Sequence, residues 1–433
     1  MDLRWNLRLP LLRGKFKKEL ENTQWLSPIE LEKLQIRRMR RLIKHAYETV
    51  PYYHRLFDAD RIRPEDVRSR EDLIKLPVLK KEEVRTNRAE MVSSRYPLKE
   101  LQERRTSGST SIPLAVYWNV ESKAFKDAAN LRHRTWMSLS ENDIATYLGP
   151  PGLNIYPSQA PEALTLYAWD VTQEKIARLV QNIRKLRPSF LWGSPAITSL
   201  LARFCEEKGI SDITFKAILS GGDRLFDNEK KRLEEVFNSE VYQAYSASDT
   251  GVMAYDCAEH AGLHICSEYV FIEFLRDSEP AASGEIASVV VTPLLAYGMP
   301  LIRYDLEDAA FKIGDPCACG RGLPLMSYID GRITDILVSA DGRWLGNSDF
   351  HSRLFDRVDV QQYRLIQETV EKLVVELIPG KNYDAKAERF IVERIKKYMG
   401  QQVEVTVKTT DHIDPTPSGK RRIVTSHVPI KFH

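Results

Sequence analysis

The sequence predicts an α/β fold: a large N-terminal domain with α/β sheets and a β-rich subdomain, followed by a small α+β C-terminal domain. Three observations lead there. From about residue 110 to 250, short apolar runs alternate with longer stretches of helical periodicity. After residue 265 the runs "EYVFIEFL", "GEIASVVVTPLL" and "PLIRYDLEDAAFKI" read as antiparallel strands. Past a junction near "GRITDILVSADGRW", the order is strand–strand–helix–strand over about 100 residues, enough for a separate domain. The expected division is 1–100 as a helical segment of the large domain, 101–335 as its core and β-rich part, and 336–433 as the C-terminal domain.

In order along the chain, the first hundred residues are helical and basic. "SPIELEKLQIRRMRRLIKHAYETV" opens with Ser27 as N-cap, Pro28 at the first helical position and Glu30 placed to close a capping box. Leu31, Leu34, Met39, Leu42, Ile43 and Ala46 recur at helical spacing. The Arg/Lys cluster between them reads as a solvated face, with phosphates or a membrane surface as the alternative partner. Short helices separated by prolines follow up to "LPVLKKEEV". "EKIARLVQNIRKLRPSFLWGSP" is a helix running into a strand, and "AITSLLARFCEEKGI" is a helix with Cys205 on its core side. The strand "FKAILSGG", the helix "NEKKRLEEVFN" and the extended "EVYQAYSAS" complete the alternation. The sheet is expected to be partly parallel. Ligands of such sheets gather at the carboxyl ends of strands, where "LSGGDRL" and "YSASDTG" fall.

The totals exclude several classes. Of 433 residues, 43% are hydrophobic and 28% charged, an ordinary globular balance. A net charge of +3 gives no general case for nucleic-acid binding. No apolar run approaches the roughly 20 residues needed to span a bilayer. The start "MDLRWNLRLPLLRGKFKKELE" carries too many charges for a signal peptide. Five cysteines are then expected as reduced thiols in a cytoplasmic protein, with metal binding ahead of a disulfide framework.

Four motifs carry chemistry, each with a plainer reading beside it. "TSGSTS", Thr106 to Ser111, offers hydroxyls and backbone N–H groups suited to phosphate oxygens, although such a turn is commonly a linker. It is not a Walker A loop, because no Gly-Lys-Ser/Thr follows. "PLIRYDLED" places Asp305, Glu307 and Asp308 where an acid can accept ribose hydroxyls, or simply be solvated. "GRITDIL" sets Arg332 and Asp335 at the junction, as a pivot or an ordinary turn. "PTPSGKRRI" puts Lys420 on a Pro/Gly loop, able to meet developing phosphate charge or to be a basic tail.

In this order, with a Tyr-Ser-x-Ser-acid segment between, the motifs resemble the adenylate-forming superfamily over essentially the whole chain. "HAYETVPYYHRLFD", "LPVLKKEEV", "GLHI" and "CACGR" look like its phenylacetate–CoA ligase family, near the CapK-like branch. The resemblance implies a carboxylate activated by ATP with Mg²⁺, then commonly passed to coenzyme A, with a mobile C-terminal domain closing over the adenylate. Thr106, Ser107, Gly108, Ser109 and Thr110 would hold the triphosphate. Gly221, Gly222 and Asp223 would border adenine, Tyr245 would stack near it, and Ser248 would meet the α-phosphate. Asp249 would help hold Mg²⁺; Asp308, assisted by Arg332, would bind ribose. Asp335 would be the hinge and Lys420 the lysine bridging carboxylate and α-phosphate.

The chain departs from that pattern at several places. Ser111 stands for a Gly, Leu114 for a Lys after the Pro, Asp249 for a Glu, Ser246 for the Gly after the tyrosine, and Glu307 for the Gly before the ribose aspartate. The glycine- and aromatic-rich segment of phenylacetate ligases is missing; "YLGPPGLNIYP" stands roughly there, so phenylacetate is not the expected acid.

"CAEHAGLHIC" and "CACGRG" supply Cys257, His260, His264, Cys266, Cys317 and Cys319, enough for a closed tetrahedral Zn²⁺ site. Family members with this pattern imply Cys257, His264, Cys317 and Cys319; the alternative is small buried side chains and surface histidines. The leading expectation is an ATP-dependent acid ligase. An adenylyltransferase leaving AMP on a cofactor or polysaccharide-pathway intermediate, and a zinc-stapled scaffold without catalysis, are the alternatives.

Overall fold

A computed structural model describes residues 3–105, 114–149, 160–167, 172–332, 337–341, 344–345, 354–414 and 423–428. The centre of the large domain is a nine-stranded mixed sheet. Strands Thr165–Tyr167, Ala145–Gly149, Phe190–Gly193, Ala217–Gly221 and Val241–Ala247 run parallel in that spatial order. Gly251–Tyr255 then returns antiparallel, followed by Leu263–Ile265, Leu325–Met326 and Lys312–Ile313. The five parallel strands come from the segment whose strand–helix alternation the sequence displays. Their crossovers are the helices Gln173–Leu186, Pro195–Glu207 and Asp227–Phe237.

Those three helices bury one apolar face each on one side of the sheet. Ile176, Leu179, Val180 and Ile183 pack with Leu201, Leu233, Phe237 and the strand residues Leu148, Leu191 and Ile218. Cys205 is fully enclosed in this layer, a core residue as expected. The sheet's other side packs Tyr147, Trp192, Leu219 and Tyr242 against Leu131, Met137 and Leu139. Leu131 lies on the helix Val120–Trp136, which is crossed by the N-terminal helix Leu3–Thr23, with Phe16 edge-on to Phe125 at 5.5 Å.

The helix Pro28–Thr49 begins as its sequence dictates. Ser27 accepts from the Glu30 N–H, and the Glu30 carboxylate accepts from the Ser27 N–H at 2.9 Å, closing the box. Arg37, Arg40, Arg41 and Lys44 are exposed, whereas Arg38 is buried, donating to the Glu268 carbonyl and pairing with Glu19. The basic cluster is therefore an exposed face with one member recruited inward.

A second, wholly antiparallel sheet follows, in the order Glu279–Pro280, Val270–Arg276, Ala287–Pro293, Tyr304–Ala310, Gly331–Arg332. The strand Tyr304–Ala310 carries a bulge: Ser288 faces Ala309 but Val290 faces Asp305, and Glu307 adopts φ 61°. Apolar alternation continues through "PLIRYDLED", yet the strand proper starts only at Tyr304. Buried Arg303 turns the chain there with φ 52°, held by Glu273 and the Ile74 carbonyl.

The C-terminal part is a four-stranded sheet in the order Glu404–Thr409, Lys372–Pro379, Val360–Thr369, Val424–Ser426, with the helix Ala385–Met399 beside it. Ile391, Ile395 and Met399 of that helix meet Leu365, Leu373, Val375 and Leu377 in a cluster drawn only from residues 337 to 424. It has a core of its own.

Candidate nucleotide site and thiol cluster

The two large sheets meet at the hairpin that follows Val241–Ala247. Ala247 pairs with Gly251, so Ser248, Asp249 and Thr250 form its tip. The tip closes on a glycine: Gly251 has φ 92°, and a Cβ there would lie 3.1 Å from the Tyr269 hydroxyl. Gly221 pairs with Ala244, which brings "SGGD" beside the hairpin base; Gly222 then turns outward with φ 87°, open to the approach of a ligand.

Across the gap lies the bulged strand. Tyr245 Oη donates to Asp308 Oδ2 at 2.7 Å, and Tyr304 Oη donates to Asp249 Oδ2 at 2.9 Å. Tyr304 and Asp308 therefore act as two teeth of one strand engaging the hairpin at two points. Arg332 pairs in register with Asp308, which ties the start of the C-terminal junction to the same place. Gly221, Gly222, Asp223, Tyr245, Ser248, Asp249, Asp308 and the Arg332 backbone are thus gathered at the carboxyl end of the parallel strands. Thr106, Ser107, Gly108, Ser109, Thr110, Asp335 and Lys420 lie outside the described residues. The base of the 106–113 segment is nevertheless anchored here, because Trp118 Nε1 donates to the Asp249 carbonyl at 3.2 Å.

The electrostatics follow from enclosure. Burial pushes the Asp249 carboxyl above the usual aspartate value; the Tyr304 hydroxyl and the Lys81 ammonium oppose that shift. Burial, with Asp308 alongside, drives the Tyr245 hydroxyl well above the ordinary tyrosine range, so it stays a proton donor. Lys81 Nζ donates to the Leu306 carbonyl at 2.9 Å and to Glu307 Oε2 at 2.7 Å, pinning the bulge from the N-terminal segment. Lys80 meets Asp305 at 2.7 Å, and Asp305 also accepts from Ser288 at 2.9 Å. Of the two acids beside Asp308, Asp305 and Glu307 are therefore committed to lysines. Arg224 of "GGDRL" bonds the Asp330 carbonyl at 2.9 Å and pairs with its carboxylate.

Sequence reasoning missed Tyr304, Trp118, Lys81 and the Arg224–Asp330 pair. The partners are 55, 131, 226 and 106 residues apart, and no local pattern marks such pairs.

The thiol cluster lies on the antiparallel flank of the nine-stranded sheet. Ligand atoms of Cys257, His264, Cys317 and Cys319 all fall within 4.8 Å of one another. Cys257 and Cys317 Sγ are 3.7 Å apart; Cys319 Sγ is 3.3 Å from His264 Nε2. Four ligands on a tetrahedral Zn²⁺ with Zn–S near 2.3 Å stand about 3.8 Å apart, so the set fits that ion. His264 Nδ1 faces the Leu323 carbonyl at 3.2 Å, which leaves Nε2 for the metal. Burial lowers the His264 pKa to about 4, so the imidazole is neutral, as a ligand must be. The remaining pair goes elsewhere: His260 Nδ1 bonds Asp256 at 2.8 Å, and Cys266 faces Arg132 at 3.5 Å.

Comparison with known proteins gives a consistent answer. Residues 337–427 match the CapK C-terminal domain family. The phenylacetate–coenzyme A ligase of Thermus thermophilus is 28% identical over 337 residues, 75% of this chain and 74% of that protein. The Escherichia coli K12 phenylacetate–coenzyme A ligase is 25% identical over 333 residues, covering 74% and 75%. A 2-hydroxyisobutyryl-CoA ligase in its postadenylation state superposes with TM-score 0.79 at 20% identity, covering 94% of this chain and 91% of that one. In its thioesterification state the same ligase gives 0.64 over 95% and 92%, again at 20% identity. With the order of motifs, the two-sheet site and the separate C-terminal core already in place, the chain is similar to phenylacetate–coenzyme A ligases over three quarters of its length, carries a C-terminal part matching the CapK C-terminal domain family, and shares the fold of a 2-hydroxyisobutyryl-CoA ligase.

Proposed function

We propose that this protein is an ATP-dependent acid ligase that converts a carboxylic acid to its acyl-adenylate and then to a coenzyme A thioester. The observation that carries the reading is the Tyr245–Asp308 contact, 2.7 Å across two sheets, at the mouth of the parallel strands. It sets an acid for ribose beside an aromatic ring for a purine. In the first half-reaction a substrate carboxylate oxygen attacks the α-phosphorus, and the bond to the bridging oxygen breaks to release pyrophosphate. In the second, a thiol attacks the acyl carbonyl carbon and AMP departs.

Two anions must meet in the first step, so charge neutralisation is the main task. Lys420 supplies it from the C-terminal loop, and Ser248 donates to the α-phosphate. Asp249 is the carboxylate for Mg²⁺; the residues fit, since one buried carboxylate suffices when phosphate oxygens and water complete the shell. Bound Mg²⁺ would supply Lewis-acid polarisation of the phosphate. Thr106 to Thr110 would wrap the β- and γ-phosphates, Gly221, Gly222 and Asp223 would border adenine, and Arg332 would assist Asp308. Zinc at Cys257, His264, Cys317 and Cys319 would be structural, with no open position. We divide the chain at Asp335, the hinge, into the large domain and a C-terminal lid, 336–433. Five thiols, none paired in a disulfide, favour a reducing, cytoplasmic setting. Among the described residues no helix is long and apolar enough to cross a membrane.

The test is pyrophosphate release from ATP across aromatic, fatty and sugar acids, with and without coenzyme A. At least one acid should give release, with free AMP and a thioester as products. AMP retained on an organic acceptor would turn the assignment to adenylyl transfer, and silence across the panel would favour the scaffold. In the productive case Lys420→Ala should cost about a hundredfold or more in the adenylation half-reaction.

A further inference from the structure

The hairpin tip that carries Asp249 is held by more than its own turn. Ser248, Asp249 and Thr250 join two antiparallel strands, a place where backbone carbonyls ordinarily face water and the loop moves. Here Asp249 and Thr250 are both buried. Their two consecutive carbonyls are taken by aromatic side chains from separate elements. Trp118 Nε1 donates to the Asp249 carbonyl at 3.2 Å, and Tyr269 Oη donates to the Thr250 carbonyl at 2.9 Å. Tyr304 Oη holds the Asp249 carboxylate at 2.9 Å. Three donors, 131, 19 and 55 residues away along the chain, thus fix two residues.

The two rings that hold the backbone are themselves held. Tyr269 stacks on Phe125 at 4.8 Å, and Phe125 meets Phe16 of the N-terminal helix edge-on. Trp118 is buried, with the Arg104 guanidinium over its ring at 5.5 Å and Lys126 Nζ at 5.4 Å. Gly251 lets both rings close in, since a Cβ there would lie 3.1 Å from Tyr269 Oη and 3.4 Å from Trp118 Cη2. Such a grip matters because of what stands at 249. The pattern this chain resembles carries glutamate there, and an aspartate keeps its carboxyl about 1.5 Å nearer the backbone. A shorter arm reaches a metal only from a backbone held in one place.

We propose that Trp118 and Tyr269 are positioning residues, which fix the hairpin tip where an aspartate, rather than a glutamate, reaches the metal of Mg²⁺–ATP. The inference rests on the reading of Asp249 as the magnesium carboxylate and adds the two residues that place it. Both act through the backbone of residues 249 and 250 and not on the ligand. The test needs neither an acid nor turnover, so it is judged apart from the ligase assignment.

Calorimetry with ATP on the full chain gives the answer, run once in EDTA and once in saturating Mg²⁺. The ratio of the two affinities is the metal-dependent gain, and Asp249→Asn shows what remains of it without the carboxylate. Trp118→Phe and Tyr269→Phe each remove one donor and keep a ring. Each should lower the gain by about fivefold, the worth of one neutral hydrogen bond, and leave ATP affinity in EDTA close to wild type. Asp249→Glu should lower the gain as well, because the longer arm overshoots. A variant that had merely lost packing would weaken ATP binding equally with and without metal, and thermal melting would identify it. An undiminished gain in both Phe variants, equal weakening under both conditions, or a larger gain in Asp249→Glu overturns the proposal. A wild-type gain no greater than that of Asp249→Asn would take Asp249 off the metal and the proposal with it, leaving the ligase assignment to the pyrophosphate-release panel.

Discussion

At the scale of single residues, the site is a set of contacts between buried tyrosines and acids, and the clearest consequence concerns protons. Asp249 is 5% exposed, and burial raises its pKa above that of a solvated aspartate. A carboxyl whose folded pKa exceeds its unfolded one holds its proton more tightly when folded. Its contribution therefore favours the folded state below that window and is lost as pH rises through it. Metal binding has the opposite need, since only the carboxylate ligates. The Tyr304 hydroxyl, donating at 2.9 Å, stabilises the ionised form and restrains the shift. Tyr304→Phe should then move the acid limb of the pH–rate profile to higher pH, with activity on the plateau less affected. An acid limb that stays put, or moves down, would separate Asp249 from the titration. The aspartate was legible in "YSASD"; its tyrosine was not, because a partner 55 residues away leaves no trace in spacing. Glu307 teaches a related lesson. The sequence shows a glutamate where the family has glycine, and the structure keeps the left-handed backbone at φ 61° while Lys81 holds the new carboxylate.

Elements were easier to read than their contacts. The helix Pro28–Thr49 and the strand–strand–helix–strand order of the C-terminal part follow from capping residues and from apolar periods of 3.6 and 2. What periodicity did not reveal is the bulge between Asp305 and Ala309, which re-aims Asp308 toward Tyr245; the apolar alternation runs through it without a break. The thiol cluster is the reverse case: the local runs supplied six candidate ligands, and the family resemblance implied which four come together. Cys317 and Cys319 sit on a knuckle between strands Lys312–Ile313 and Leu325–Met326, and His264 lies on the strand paired with the latter. Bound zinc would fasten these three short pieces of sheet, which have few residues between them. Purified protein should carry about one equivalent of tightly held zinc, and a strong chelator should lower the melting temperature. Cys317→Ser should do the same without added chelator. Less than about half an equivalent of zinc, or melting indifferent to the chelator, would leave the cluster as packing alone.

For the whole molecule, the question is how a core built only from residues 337 to 424 communicates with a site on the large domain. The covalent path runs through Gly331–Arg332, an edge strand paired with Asp308 and Ala309, so any movement of the C-terminal part would pull directly on the strand that would hold the ribose. A second tie acts just upstream. Arg224, on the loop after Ala217–Gly221, grips the carbonyl and carboxylate of Asp330, whose side chain is 5% exposed. That pair links the loop after Ala217–Gly221 to the last residue before the junction, and it would set where any rotation about that junction begins. Arg224→Ala removes the grip and leaves Asp330 without its arginine partner in a largely enclosed place, a change costing about 1–3 kcal/mol. Because the pivot would then float, the coenzyme A-dependent half-reaction should slow by a larger factor than pyrophosphate release. Single-turnover measurements of the two steps distinguish this from general loosening: equal slowing of both, or slowing confined to adenylation, would mean that Arg224 merely supports the nucleotide loop and that the pivot lies elsewhere.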